Sequence, residues 1–179
     1  MHGQGRLELG LASRVMLAEY DRLKQEQLAR IGVRDNLIYA VLLASAAVVP
    51  TTVSQGSAFL LLLPPVAVLI GWTYLVNDWF VSSLGRYLRE ELGPRLGGLA
   101  GESLLGWEYQ GRDPDRPRRK RFQLAADLLA FCGLPLGALT AFWLRASLSP
   151  LLVVLSAVEA LVVLVLAAEI VRYAELTTN

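Results

Sequence analysis

Residues Leu148 to Val171, LSPLLVVLSAVEALVVLVLAAEIV, form an almost unbroken apolar segment. A helix of about 17 to 25 such residues crosses the roughly 30 Å hydrocarbon core of a bilayer. Three further segments of comparable length and composition precede it: Leu37 to Val53, Ala58 to Val76 and Phe122 to Leu144. The sequence therefore predicts an all-α integral membrane protein whose four transmembrane helices form a bundle.

The composition indicates a small membrane protein and leaves little chemistry for an enzyme. Of the 179 residues, 54% are apolar and 18% are charged, and the mean hydropathy of +0.45 is too high for an ordinary soluble domain. His2 and Cys132 are the only residues of their kinds, which excludes an intrachain disulfide and a metal site built from His or Cys. We expect no catalytic activity and no cofactor.

The distribution of cationic residues predicts the orientation. Six of the 17 Lys and Arg residues precede the first apolar segment, and nine lie between the second and third. The two short loops at the opposite ends of the spans contain only Arg145. Because loops rich in Lys and Arg are retained in the cytoplasm, we expect a plasma-membrane protein with both termini and the long middle loop on the cytoplasmic side.

The apolar and charged segments divide the chain into five parts. The middle loop is expected to begin as a helical continuation of the second span and to leave the helix at Gly93-Pro94. In order, we predict a cytoplasmic amphipathic helix over residues 1–36, a first transmembrane hairpin over 37–76, a cytoplasmic loop over 77–121, a second hairpin over 122–171 and a cytoplasmic tail over 172–179.

The N-terminal segment from Leu9 to Arg34 has the pattern of an amphipathic helix. Its apolar residues, such as Leu11, Val15 and Ala18, recur at steps of three and four among charged residues. Such a helix could lie in the membrane interface, pack on the middle loop or pair with the same helix of another protomer. The sequence favours the first two uses, because it contains no clean heptad seam.

A basic segment, RDPDRPRRKR, stands immediately before the third span. Its cations could fix the topology and bind anionic lipid headgroups, each contributing about 1 kcal/mol near the surface. Alternatively, they could hold the phosphates of a nucleotide or oligonucleotide while neighbouring rings stack on its base. The residues that would form either site are Trp107, Tyr109, Arg112, Arg116, Arg118, Arg119, Lys120 and Arg121.

A stripe of small residues in the third span predicts close helix packing. Gly133 and Gly137 form a G-x-x-x-G motif, which lets two helix backbones approach closely within a bilayer. The spacing does not decide whether the partner helix lies in the same chain or in a second copy. The stripe consists of Ala126, Ala130, Gly133, Gly137 and Ala141.

Three carboxylates lie within the last two spans. Asp127 and Glu169 are near the predicted cytoplasmic ends, where cations such as Arg172, Arg34 or Arg30 are within reach. Glu159 lies near the midplane, where an ionised carboxylate would cost several kcal/mol. We expect Glu159 to be largely protonated and to donate a hydrogen bond, with Ser45 as the best candidate partner.

Glu159 admits two interpretations. It could fix the packing of the helices through a neutral hydrogen bond, or it could line a pore or exchange a proton or cation across the midplane. Val163, Leu166 and Ile170 follow it on the same helical face. A conducting path would therefore need several protomers and a hydrophobic constriction that opens by wetting.

Several segments resemble small actinobacterial integral membrane proteins, some of which serve as membrane effectors in nucleotide-signalled anti-phage systems such as Hailong. The resemblance covers roughly Leu17 to Glu108 and brings no catalytic motif. It implies a homo-oligomeric pore, controlled by a nucleic-acid-like cytoplasmic ligand, that depolarises an infected cell. The segments that carry it are Arg30-Ile31-Gly32-Val33-Arg34-Asp35-Asn36-Leu37, Gly71-Trp72-Thr73-Tyr74-Leu75-Val76-Asn77-Asp78, Gly85-Arg86-Tyr87-Leu88-Arg89 and Gly106-Trp107-Glu108.

Three functions follow, in order of preference. The first is a homo-oligomeric channel or pore-forming effector gated by a cytoplasmic ligand. The second is a non-conducting membrane anchor that recruits a cytoplasmic protein partner. The third is a proton-coupled transporter.

Overall fold

The computed structural model describes residues 2–100, 116–145 and 149–176, and the secondary structure in these ranges is helical throughout. Four long helical segments are apolar enough to cross a membrane, Gly10–Gln55, Ser57–Leu99, Arg118–Arg145 and Pro150–Ala174. The predicted all-α fold with four such helices is confirmed. In chain order the elements are α1 (His2–Gln55), a 3-10 helix (Ser57–Leu62), α2 (Leu63–Tyr87), a π-turn (Leu88–Leu92), α3 (Gly93–Ala100), α4 (Arg116–Leu128), a second π-turn (Leu129–Gly133), α5 (Leu134–Arg145) and α6 (Pro150–Leu176).

Helix α1 continues without interruption through Pro50. Proline supplies no backbone donor, but neighbouring side chains add hydrogen bonds to this turn. The Thr51 hydroxyl donates to the carbonyl of Ala47 at 2.8 Å, and the Thr52 hydroxyl donates to that of Val49 at 2.7 Å. The helix ends before Gly56, whose φ of 105° is a conformation that glycine adopts without strain.

The predicted end of the helix at Gly93-Pro94 is wrong. The chain instead makes a π-turn over Leu88–Leu92 and continues as α3 from Gly93 to Ala100. Pro94 consequently occupies the first turn of α3, where its missing N–H removes no helical hydrogen bond. The third apolar helix repeats this arrangement, because the π-turn Leu129–Gly133 is followed by Pro135 in the first turn of α5.

By compactness the chain divides into two units. The first unit comprises Met1–Gly32 and Asp78–Arg116, and the second comprises Val33–Asn77 and Pro117–Asn179. Two of the helices, α1 and α2, contribute residues to both units.

The first unit packs the N-terminal part of α1 against the segment that follows residue 77. Leu88, Leu92 and Leu96 form its buried centre, and Met16 and Tyr20 of α1 pack against them. Polar contacts reinforce this packing. Tyr87 Oη donates to Glu19 Oε1 at 2.8 Å, Gln27 Nε2 donates to the carbonyl of Val81 at 3.2 Å, and the Arg30 guanidinium lies 4.3 Å from the centre of the Phe80 ring. Of the three uses considered for the N-terminal helix, the structure contains packing on the middle loop.

The second unit has an apolar interior and an apolar exterior. Its interior forms two clusters, one centred on Phe131 and Leu166 and one centred on Leu139 and Phe142. Its exterior carries strongly exposed leucines, including Leu43 at 70% and Leu144 at 81%. A folded domain in water does not expose such a surface, whereas acyl chains cover it at no cost.

Candidate functional site

Glu159 lies on the side of α6 that packs into the second unit. Ser156 and Val163, one turn away on either side, are completely buried, and Leu166 is 1% exposed. Glu159 itself is partly buried, and its Oε2 atom has no exposed surface. The carboxyl group is therefore held by the bundle interior, and its face of the helix is not the face that meets acyl chains.

The expected hydrogen bond between Glu159 and Ser45 does not form. Ser45 donates its hydroxyl hydrogen to the carbonyl of Val41 at 2.8 Å, one turn earlier in α1. A serine within a helix finds this acceptor without moving any other group. Among the described residues, Glu159 Oε2 has no hydrogen-bond partner at all. Such an atom in an apolar interior is costly, and this cost indicates a role that the static contacts do not satisfy.

Ser156 is a buried hydroxyl that the sequence analysis did not identify. Its Oγ accepts a hydrogen bond from Trp143 Nε1 at 2.8 Å and donates one to the carbonyl of Val153 at 3.0 Å. These two bonds connect α5 to α6 near the loop that joins them. Ser156 is thus engaged with Trp143 and Val153, although it lies only one turn from Glu159. A Trp near the end of one span and a Ser near the start of the next was the available signal.

Asp127 is bound to a tyrosine that the sequence analysis did not name. Tyr74 Oη donates to Asp127 Oδ1 at 2.8 Å, and the two residues are only 3% and 9% exposed. The Tyr74 ring also packs on Phe131, with ring centres 4.9 Å apart. Hydrogen bonds to a charged acceptor are stronger than neutral ones, so this contact ties α2 to α4. Glu169, in contrast, pairs with Arg172 at 3.0 Å as predicted.

Between these two polar positions the bundle is closely packed. Phe131 and Val163 are completely buried, and Leu166 is almost so. At Gly71 of α2, an added Cβ would lie 2.8 Å from Leu166 Cδ2 and 3.2 Å from Phe131 Cβ. Only a glycine permits three helices to approach so closely. We call Gly71, Phe131, Val163 and Leu166 the apolar plug.

The predicted small-residue stripe is not used for packing inside the described part of the chain. A Cβ added to Gly137 would meet no atom within 4 Å. A Cβ added to Gly133 would meet only its own helix, with Leu129 Cδ1 nearest at 3.0 Å. Ala126 is exposed, and Ala130 and Ala141 are partly buried. Of the two possibilities left open by the spacing, packing within the monomer is therefore excluded for the two glycines.

The basic segment is only partly described. Trp107, Tyr109 and Arg112 lie outside the described residues, so the proposed ring stacking stays a prediction. Helix α4 begins at Arg116, and the side chains of Arg118, Arg119 and Arg121 are exposed while Lys120 is partly buried. Within the described ranges, no group of three or more His, Cys, Asp or Glu side chains is arranged to hold a metal ion.

Comparisons with known proteins give no relative. No family model matches the chain, and neither the curated proteins nor the solved structures contain a significant match. The functional argument therefore depends on the geometry of the bundle.

Proposed function

We propose that this membrane protein is a homo-oligomeric channel or pore-forming effector that a cytoplasmic ligand opens. The observation that carries the proposal is the carboxyl group of Glu159, which is enclosed among four apolar helices without a hydrogen-bond partner for Oε2. An ionisable group at such a position is expensive, and in membrane proteins it usually belongs to a path for ions or protons.

The outer surface of the second unit supports self-association. Gly137 and Ala126 are exposed, although the rest of that surface consists mostly of large apolar side chains. Small residues provide a shallow surface on which another helix can approach closely, gaining dispersion contacts that fluid lipid does not match. A second copy of the chain is the proposed occupant.

The continuity of two helices supports control by a ligand. Helix α1 passes from the first unit into the second at Gly32, and α2 passes from the second unit into the first at Asn77. A ligand that alters packing around Leu88 or Leu92 would act on the same helices that pack in the second unit. A nucleotide or oligonucleotide is the ligand class proposed from the Trp107 to Arg121 region. A role in anti-phage defence rests on the sequence resemblance alone.

A second function has its own supporting observation. The apolar plug, with Phe131 and Val163 fully buried, closes the interior of the single chain. A non-conducting anchor needs no path, and it could recruit a cytoplasmic protein through exposed apolar residues of the first unit such as Leu11 and Val15. Anionic lipid headgroups bound to the exposed cations of α4 would serve either function.

Electrical recording distinguishes the two functions. The purified protein in a planar bilayer should give stepwise currents, and Glu159→Gln should change their amplitude or open probability. Glu169→Gln is the matched control, because it alters a carboxylate on the same helix that already has Arg172 as its partner. Absence of current over a range of voltages and nucleotide ligands would favour the anchor, and a monomeric mass in lipid nanodiscs would exclude the oligomer.

A further inference from the structure

The second unit contains two buried carboxyl positions on opposite sides of the apolar plug. Helices α2 and α6 run in the same direction, because Leu61 lies in one apolar cluster with Ala160 while Tyr74 lies in the other with Ile170. Glu159 precedes Leu166 by two turns, about 10 Å along the axis. Tyr74 follows Gly71, and its partner Asp127 lies one turn, roughly 6 Å, before Phe131. The plug therefore separates Glu159 from Asp127.

We propose that Glu159 and Asp127 are two proton-binding positions of one path through the interior of each bundle, and that the apolar plug is its gate. This inference rests on the proposed conducting function and places the path within the single chain. It replaces the expectation that several protomers must surround the path, because Glu159, Val163 and Leu166 all face the interior of one bundle.

The surroundings of Glu159 favour a proton over a metal cation. A metal ion needs several oxygen ligands at once. The nearby Ser156 hydroxyl is engaged with Trp143 and Val153, and Ser45 is engaged with Val41. The described residues contain no group of acidic side chains that could hold a metal. A single carboxyl oxygen is sufficient for a proton.

The plug has the properties of a gate that closes by excluding water. Its side chains are apolar and almost completely buried, so no chain of water molecules can cross it. Gly71 lets Leu166 and Phe131 approach α2 closely, and a small separation of these helices would admit water. Protons entering at Glu159 would then pass along the water molecules to Asp127, which releases them on the far side. No covalent bond other than the carried O–H bond is made or broken.

The test measures proton flux in proteoliposomes with a pH gradient and an enclosed pH-sensitive dye. Phe131→Ala shortens the plug, and we expect roughly tenfold faster proton flux than in the unmodified protein. Phe122→Ala is the matched control, because Phe122 is 79% exposed on the same apolar helix. Leu166→Ala, with the 55% exposed Leu164→Ala as its control, is an independent second pair.

The carboxyl positions are tested in the opened variant. Adding Glu159→Gln or Asp127→Asn to Phe131→Ala should return the flux to that of the unmodified protein, since an amide cannot carry the proton. Cys132, the single cysteine and only 4% exposed, reports on water in the plug. A water-soluble maleimide should label it faster in Phe131→Ala than in Phe122→Ala.

The results separate this inference from the proposed function. Equal proton flux in the plug variants and their controls overturns the gate, and increased flux that is insensitive to Glu159→Gln and Asp127→Asn overturns the two proton positions. Potassium currents that depend on Gly137 but not on Phe131 would place the path between copies, so the channel would remain and the inference would fail. Absence of every current and every flux would remove the channel itself.

Discussion

Two glycines in the apolar helices, Gly71 and Gly137, differ in what surrounds them. Gly137 belongs to a G-x-x-x-G motif, yet a Cβ added to it would meet no atom within 4 Å. Gly71 belongs to no motif, yet a Cβ added to it would lie 2.8 Å from Leu166. A motif records that a helix could be approached closely, whereas the contacts determine where the approach occurs. The motif is available for a partner outside the chain, and the isolated glycine holds the chain together.

The largest effect is expected from Gly71→Val. The branched side chain would overlap Leu166 and Phe131 in a closely packed interior, and we expect a loss of about 3 kcal/mol of stability. Thermal unfolding in detergent, followed by circular dichroism, measures the change. Gly137→Val is the matched control, and an equal loss in both variants would mean that the two glycines do not differ as described.

A smaller loss is expected from Tyr74→Phe, which tests whether the packing at Gly71 is supported by the polar contact one turn away. The substitution removes the hydrogen bond to Asp127 and leaves a buried carboxyl oxygen without it. We expect a loss of about 2 kcal/mol in the same unfolding measurement. Tyr39→Phe is the control, since Tyr39 is 63% exposed. An unchanged midpoint in Tyr74→Phe would show that the bond contributes nothing to the close approach.

Gly85→Ala provides an intermediate case in the first unit. An added Cβ would lie 3.2 Å from Gln27 Nε2, which is the end of a flexible side chain. Alanine is favoured over glycine within a helix by up to about 1 kcal/mol, so this gain should offset the crowding. We expect the net change to stay within about 0.5 kcal/mol. A loss comparable to that of Gly71→Val would contradict the ranking by neighbour distance.

The smallest effect on stability is expected from Gly137→Leu, with the largest effect on assembly. Nothing in the chain opposes the new side chain, so the unfolding midpoint of the monomer should not fall. A leucine would nevertheless fill the shallow surface proposed for a second copy. Native mass measurement in nanodiscs should therefore record fewer subunits than in the unmodified protein. An unchanged oligomer would place this face against lipid.

The sequence predicted those features that depend on length, composition and local spacing. Four apolar helices follow from the length of the apolar segments, and the Glu169–Arg172 pair follows from a separation of one turn. The burial of one face of α6 around Glu159 was also accessible from periodicity.

The remaining features depend on contacts that no local pattern contains. Ser45 had two acceptors to choose between, and the nearer backbone carbonyl was preferred. The partner of Asp127 is on another helix, so its identification requires the helix packing. Gly93-Pro94 is a typical helix end, but the preceding π-turn moves Pro94 into a position that tolerates it.

The π-turn Leu129–Gly133 also affects how insertions and deletions would act on this chain. A π-turn contains one more residue than the α-helical turn it replaces, so it resembles a single-residue insertion that the helix has absorbed. Deleting one residue there would restore the ordinary period and rotate everything after it by about 100°. Phe142, now fully buried, would then turn towards the hydrocarbon, so this helix is less tolerant of a change in length than of most changes in side chain.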